Sequence, residues 1–338
     1  MIDIFKQLRQ EAGFLQQKCL TDNDNDLWSS RMSSQLNRII NDNGEINKSG
    51  IKNFRQNLTF INEHPGFSSL YPYNFLIGSR RAQIKFLKER LQVMNEVGDI
   101  HLLEKYPINM VGNPNVIPIK GHDFNRRWSN NLRYLSLSLQ YLGNVLSHHN
   151  SSLLDVGGGY GIFPSLLKQE FNDLKLAIVE FPEQLLLTYY FLASTFPDAR
   201  INSFEEVYDV EVIDKEFINQ YDFVLIPIDC YKKIEKGAFT VLSNFFSLGE
   251  MSEEWFDIYT KGDAFQGADY ILTINRFESR PSYNTMLNIL DYNLEQYEKI
   301  HFQISPYERY HYERKYLFFY KKEYYTSQFF EFIGKRKA

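Results

Sequence analysis

Apolar residues in the first hundred positions recur at helical spacing. Ile4, Phe5, Leu8 and Leu15 predict a first helix, Trp28, Met32, Leu36, Ile39 and Ile40 a second, and Ile51, Phe54, Leu58 and Ile61 a third. Polar stretches at Asp22–Asp26 and Asn41-Asp42-Asn43-Gly44 separate them with loop chemistry. A longer helix is expected from Asn74 to Val97, stopped by Gly98. Pro107, Gly112-Asn113-Pro114, Pro118 and Gly121 then mark a turn-rich connector, and a helix from Arg126 to Leu146 follows it.

Beyond residue 150 the pattern changes to short apolar runs alternating with helical ones. Strands are expected at Leu153–Val156, Leu176–Glu180, Tyr221–Ile228, Ala238–Ser243 and Asp269–Ile274. A last strand at Lys315–Tyr320 is expected to pair antiparallel with a neighbour. Helices are expected from Glu183 to Thr195, ended by Pro197-Asp198, and from Ser252 to Thr260. In the latter, Glu253 and Glu254 suit the positive end of the helix dipole. The order predicts an α/β, Rossmann-like doubly wound sheet carrying an N-terminal helical extension. Residues 1–105 form that extension, and 106–338 the α/β domain, with 106–125 as the connector.

The first strand runs straight into Gly157-Gly158-Gly159-Tyr160-Gly161, and the apolar helical pattern of Ile162, Phe163, Leu166 and Leu167 begins at once. Strand, glycine turn and helix in that order are how such a sheet opens a nucleotide site. A dinucleotide fingerprint has glycines at relative positions 1, 3 and 6. Here they stand at 1, 3 and 5, with Ile162 in the sixth place. Asp155 precedes the first glycine by two residues and suits a ligand with a cationic amino group better than a pyrophosphate. Its alternative role is to cap the glycine loop. Glu180 closes the second strand 21 residues after Gly159, near the spacing of a ribose-binding acid, though it could equally be an acid at the start of the next helix.

Asp-x-Gly-x-Gly-x-Gly resembles the first motif of the class I S-adenosylmethionine methyltransferases. The segment Phe239-Thr240-Val241-Leu242-Ser243-Asn244-Phe245-Phe246-Ser247-Leu248-Gly249-Glu250-Met251 narrows the resemblance. It is similar to the fourth-strand signature of the sugar O-methyltransferases of bacterial surface-glycan gene clusters. In that family an Asn ends the strand and a Ser-x-x-Glu-Met turn opens the next helix. Gly112-Asn113-Pro114, Phe181-Pro182-Glu183-Gln184-Leu185-Leu186-Leu187, Ile274-Asn275-Arg276 and Asp291-Tyr292 match too, so the likeness runs from about residue 105 to 320. One departure is Thr240, where the family carries an Asp two residues into the strand; its loss is expected to weaken a polar contact near the loop.

The resemblance implies S-adenosyl-L-methionine as cofactor and transfer of its methyl to a sugar hydroxyl; the cysteine usage and the first residues lead to the expectation of a cytoplasmic protein. Asp155, Gly157, Gly158, Gly159, Tyr160, Gly161, Glu180, Asp229, Asn244 and Ser247 are the expected cofactor-binding residues. Tyr160 is expected to pack on the donor or the first helix, and Asp229 to lie on the adenine side. A sugar hydroxyl is a weak acid, so a base should lie within hydrogen-bond reach of it. Glu250 is the first candidate, its alternative being a cap on its own helix. His122 and His311 are the others. Arg276 is a candidate for binding an acidic sugar or a nucleotide-sugar phosphate.

Composition limits the partners. A net charge of −5 argues against a nucleic-acid binder. Arg80-Arg81, Arg126-Arg127 and Lys335-Arg336-Lys337 read as solvated clusters or, more sharply, as contacts to a phosphate-bearing substrate. Two cysteines give no disulfide framework or metal spacing, and no metal is expected. No apolar run reaches membrane-span length, and the first residues lack signal-peptide character, so no membrane insertion is expected. The acceptor is expected to be a small molecule or a glycan, and a homo-oligomer is compatible with the sequence. Three alternatives stay open: a methyltransferase of another small molecule or a protein, a non-catalytic S-adenosylmethionine-binding scaffold in glycan assembly, and an NAD-dependent oxidoreductase. The glycine spacing disfavours the last.

Overall fold

The apolar runs beyond residue 150 are apolar throughout because each is covered on both faces. In the computed structural model, which describes residues 3–19, 39–40, 45–56, 80–279, 285–308, 310–316, 319–325 and 328–337, they form one sheet. A small hairpin comes first, β1 (Ile117–Ile119) with β2 (His122–Phe124). The sheet strands are β3 (Ser152–Val156), β4 (Lys175–Glu180), β5 (Phe223–Pro227), β6 (Val241–Phe245), β7 (Tyr270–Arg276) and β8 (Tyr297–Ile304). A second hairpin, β9 (Tyr310–Tyr316) with β10 (Phe319–Tyr325), stands outside the sheet, which β11 (Phe329–Arg336) completes. The seven strands lie in the order β5-β4-β3-β6-β7-β11-β8. The first five in that row are parallel, and β11 runs antiparallel between β7 and β8. This is the expected Rossmann-like sheet, five parallel strands closed by a late antiparallel pair.

Side-chain alternation divides the core in two. Leu153, Leu176, Ile178, Phe223 and Leu225 enter one cluster, while Leu154, Ala177, Val179, Val224 and Ile226 enter the other. The first cluster is covered by α1 (Ile4–Cys19), α2 (Arg80–Glu96), α3 (Arg126–Leu146), α4 (Ile162–Glu170) and α5 (Pro182–Thr195). The second is covered partly by α6 (Glu253–Thr260), through Phe256 and Tyr259. Leu8, Ala12 and Leu15 of α1 bury in the same cluster as Leu185 and Leu192 of α5, so the N-terminal helices share the core of the sheet. Among the described residues no helix is long and apolar enough to cross a membrane.

Two expectations need correction. The fourth strand starts at Val241 rather than Ala238 and runs on to Phe245. Gly237 takes a left-handed turn (φ +80°) before it, and the Thr240 side chain accepts from the Ser152 N–H at the start of β3. Thr240 therefore sits at the amino end of the sheet, opposite the glycine loop, and cannot weaken a contact there. The expected strand at Lys315–Tyr320 instead straddles the β9–β10 hairpin. The one reversed strand of the sheet is β11, antiparallel to both β7 and β8. Of the sequence-predicted helices, the second and much of the third, together with the start of the Asn74–Val97 helix, fall outside the described residues; α2 accounts for the end of the last.

β11 was hidden because a carboxylate stands in its middle. Glu331 is fully buried and receives both arms of the Arg133 guanidinium from α3 (Nε 3.1 Å, Nη2 2.7 Å). Gln303 (2.7 Å) and Ser305 (3.0 Å) donate to it as well. Although burial opposes charge, His301 beside it (Nε2 at 3.7 Å), Arg133 and Gln303 pull the Glu331 carboxyl down to about 2. The remaining Arg133 nitrogen faces Asp99 at 3.4 Å, which also accepts from Tyr307 (2.7 Å) and Ser136 (2.5 Å). A second buried cluster lies beside it: Glu308 takes Arg126 at 2.8 Å and Arg90 at 3.4 Å. Together they fasten α2 and α3 to the antiparallel end of the sheet.

Arg133→Met should destabilise the fold by about 3–5 kcal/mol, because it leaves a buried charge unpaired. Without its partner the Glu331 carboxyl protonates more readily, so the loss should be larger at pH 7 than at pH 4. Thermal unfolding of both proteins at the two pH values checks it; equal losses would show that the pair is not the source.

Candidate functional site

The row β4-β3-β6 places a topological switch point between β3 and β6, because the chain leaves β3 toward β4 and returns through β6 on the other side. The loops after these strands meet there. After β3, Gly157, Gly159 and Gly161 adopt φ of +71°, +58° and +85°, conformations costly for any residue with a Cβ. The Gly157 N–H bonds the Val179 carbonyl at 2.8 Å, and Gly161 then caps α4. A Cβ on Gly157 would lie 2.5 Å from Ser247 Oγ, and one on Gly158 would lie 2.7 Å from Asp155 Oδ2. The glycines thus let the loop settle between Ser247 on one side and Asp155 beneath.

Two carboxylates serve this loop. Asp155 is buried and accepts from the Ser243 hydroxyl at 2.8 Å; burial pushes its carboxyl up to about 7. Glu180, half-buried at the end of β4, accepts from the Gly159 N–H and from the Phe181 N–H, each at 3.0 Å. Burial also raises Glu180 to about 7, against the pull of those two donors and of nearby Arg127. The Gly158 N–H has no hydrogen-bond partner among the described residues.

The other sequence-predicted residues divide clearly. Asn244 is fully buried at the end of β6. Its amide donates to the Val156 carbonyl (2.7 Å) and to Ser247 Oγ, and its oxygen accepts from Asn275 (2.7 Å) and the Leu248 N–H. It clasps three strand ends and orients Ser247 toward the loop. Tyr160 is buried, edge-on to Phe54 (5.1 Å) and to Phe191 of α5 (5.3 Å), with the Arg55 guanidinium 5.3 Å from its ring. Asp229 is exposed after β5 and receives the Tyr208 hydroxyl on both oxygens. Glu250 and Arg276 are brought together, at 3.8 Å, with Arg276 stacked 4.3 Å from the Phe329 ring. His122 lies in β2 opposite Ile119, and no contact joins it to the glycine loop among the described residues. His311 pairs with Tyr324 in the β9–β10 register, and its side chain lies outside the described residues. Among the described residues no cluster of three or more His, Cys, Asp or Glu could hold a metal ion.

Sequence reasoning missed an aromatic wall beside Ser247. Phe245 stacks flat on Tyr134 of α3 (3.8 Å, 5°), and Phe246 sits between Tyr134 (6.3 Å) and Phe329 (4.6 Å). Phe246 holds φ +62°, a left-handed conformation that a bulky residue rarely adopts. The double Phe at a strand end was the visible signal. Arg127, on the first turn of α3 and read from the sequence only as a solvated or phosphate-contacting residue, lies at the loop: a Cβ on Gly159 would lie 3.9 Å from its Nη1.

No family model and no curated protein matches this chain. Solved structures similar to it include geranyl diphosphate C-methyltransferase from Streptomyces coelicolor A3(2), in complex with Mg2+, geranyl diphosphate and S-adenosyl-L-homocysteine. That pair shares 12% identity over 61% of this chain and 79% of the other, with a TM-score of 0.38. The mitomycin 7-O-methyltransferase MmcR is similar at 13% identity, 62% and 57% coverage and a TM-score of 0.34. A Haemonchus contortus phosphoethanolamine N-methyltransferase is similar at 12%, 65%, 45% and 0.35 in the same order. The chain spans about half the length of the last two. At these identities and scores neither substrate nor chemistry passes from those proteins to this one.

Gly157→Ala should lower stability by roughly 1–2 kcal/mol from its backbone conformation alone, and more from the contact with Ser247. Adding Ser247→Gly, which removes both the Oγ (2.5 Å) and the Cβ (2.9 Å) that the new methyl would meet, should recover the contact part and leave the backbone part. Thermal midpoints of the two variants check the division; full recovery in the double variant would show that backbone conformation contributes nothing.

Proposed function

We propose that this protein transfers the methyl group of S-adenosylmethionine to a hydroxyl group, and that the acceptor is a sugar. The observation that carries the donor half is the Glu180 carboxylate at the switch point, bonded across the glycine loop to the Gly159 N–H. Each of its oxygens keeps a lone pair free for a ribose hydroxyl, as the acid at the end of the second strand does in this architecture. At Gly159 an added Cβ would meet nothing nearer than Arg127 Nη1 at 3.9 Å, so a ligand has backbone-close access to the loop there. Bound there, S-adenosylmethionine would supply a methyl on a sulfonium, which is already a good leaving group.

The work left to the chain is alignment and proton removal, the first worth about 7–11 kcal/mol in favourable cases. Glu180 holds the ribose, Ser247 the amino-acid end, and Asp155 fixes the loop from beneath. Asp229 borders the adenine side. The wall of Tyr134, Phe245 and Phe246 offers the acceptor a stacking surface, and Glu250 is the base for its hydroxyl proton. Arg276, 3.8 Å from Glu250, orients that carboxylate and faces an anionic group on the acceptor. The sugar assignment rests on the resemblance of the Asn244–Met251 segment and on this wall.

Calorimetric titration with S-adenosylhomocysteine, and with NAD in parallel, tests the donor. Micromolar binding of the first and none of the second is expected; the reverse would return the chain to the oxidoreductases. Because Glu180 must be ionised to accept ribose hydroxyls, and its carboxyl stands at about 7 in the free protein, binding must expel a proton below that pH. Affinity should therefore rise about tenfold from pH 6 to pH 8. A flat profile would remove Glu180 as the ribose ligand.

Glu250→Gln should bind S-adenosylhomocysteine normally and transfer methyl about 10²–10⁴-fold more slowly, measured as labelled methyl incorporation into a panel of nucleotide sugars. Unchanged turnover would exclude Glu250 as base.

A further inference from the structure

Because β11 runs against β7, its last residues arrive at the amino end of the parallel strands, opposite the glycine loop. Lys335 pairs there with Tyr270, and Arg336 and Lys337 follow. Two loops meet them. Lys236-Gly237 turns before β6 and Gln266-Gly267 before β7, so close together that a Cβ on Gly267 would lie 2.2 Å from the Gly237 nitrogen. With Asp269 and Gln296 these residues line a cavity of about 720 Å³, a size typical of small-molecule sites. Its charge is lopsided. Asp269 is answered by Arg336, whose Nη2 lies 3.0 Å from the carboxylate while Nη1 donates to the Gln266 carbonyl, also at 3.0 Å. Lys337 donates to the Glu295 carbonyl at 2.7 Å, which positions the ammonium without neutralising it. Lys236 and Lys335 make no hydrogen bond or ion pair among the described residues. Gln296 Nε2 is a buried donor with no acceptor among the described residues. Such a group is costly to leave unmade, and an acceptor oxygen relieves it.

We propose that this cavity is a second ligand site, which binds a nucleoside diphosphate by its phosphates. The occupant must bring several negative charges and several acceptor oxygens, as a diphosphate does and a single carboxylate does not. Lys236 and Lys335 stand on separate segments and act as point charges on the two phosphates. Gln296 Nε2 adds the neutral donor, and Arg336 and Lys337 complete the positive field. A diphosphate alone does not fill the cavity. Tyr270, half-buried in its wall, offers an aromatic ring to the base. Glu180 and Ser247 follow the carboxyl ends of β4 and β6, whereas this cavity lies at the amino end of β7. The two sites therefore do not overlap, and this inference does not rest on the donor reading. Nucleic acid is the other phosphate-bearing class of partner, and the net charge of −5 disfavours it.

The test is calorimetric titration of the protein with UDP, with inorganic diphosphate and with uridine, at physiological ionic strength. UDP should bind more tightly than diphosphate, and uridine should not bind measurably. The double variant Lys236→Gln/Lys335→Gln should weaken UDP and diphosphate alike, by about tenfold or more. Gln296→Ala should weaken both by a smaller factor. Exposed Lys215→Gln, before β5 at the opposite edge of the sheet, should change neither. Thermal midpoints show that each variant is folded. No binding of UDP or diphosphate would overturn the proposal, as would UDP binding that ignores the lysine and Gln296 variants. Equal affinity for diphosphate and UDP would overturn the nucleoside part. Binding of an RNA oligonucleotide but not of UDP would overturn it in favour of nucleic acid. Excess S-adenosylhomocysteine should leave the UDP affinity unchanged, and competition between them would overturn the separation of the two sites. If S-adenosylhomocysteine itself fails to bind, the donor reading falls while the lysine dependence of UDP binding still decides this one.

Discussion

Everything on the carboxyl side of the sheet depends on a charge buried in the wrong-looking place. Glu331 sits in the middle of β11, flanked by strands on both sides, and is held ionised by His301 beside it, by Arg133 reaching from α3 and by Gln303. Neither Glu331 nor Arg133 could be buried alone. The pair is also satisfied outward, through Asp99, Tyr307, Gln303 and Ser305, so the network has few loose ends. Its geometric effect is to fix the height and rotation of α3 against the sheet. That in turn sets Tyr134 flat on Phe245 and delivers Arg127 to the glycine loop two turns further up the helix.

The site carboxylates are tuned the opposite way. Glu331 is pulled down to about 2 by donors, whereas Asp155 and Glu180 rise to about 7 because burial outweighs theirs. A raised carboxyl binds its proton more tightly in the folded than in the unfolded chain. Those two acids therefore favour folding most below their unfolded values near 4, and that contribution is lost as pH rises toward 7. Glu331 does the reverse: its contribution is present above the unfolded value and lost only as pH falls toward 2. Around neutral pH the antiparallel end supplies electrostatic stability and the glycine loop consumes some of it. A loop that holds two under-compensated acids is suited to gain from a ligand carrying hydroxyls.

What the sequence disclosed follows from which forces leave a periodic trace. The parallel strands were legible because burial on both faces demands unbroken apolar runs, as in Leu176–Val179 and Phe223–Ile226. The glycine loop was legible because positive φ at 157, 159 and 161 admits little else. β11 was not, since Glu331 breaks its run and the compensating Arg133 lies 198 positions away. β8 was not either, because an edge strand with exposed Glu298, Lys299 and Ile300 carries no clear alternation. The shift of β6 toward Phe245 had a similar cause. Its end is set by Asn244 clasping Val156 and Asn275, contacts that a local pattern cannot contain.

The same clasp explains why one strand end governs both halves of the crevice. Asn244 orients Ser247 toward Gly157, and the next turn must reverse sharply to let it do so. Phe246 takes up that reversal at φ +62°, which carries a cost for a side chain of its size. A glycine would make the turn more easily but would leave the space between Tyr134 and Phe329 empty. The aromatic side chain fills that space although backbone strain opposes it. The glycine loop is thus built from residues that give up side chains, and the strand end beside it from residues that keep large ones at a cost. Asn244 is the joint that holds the two in register.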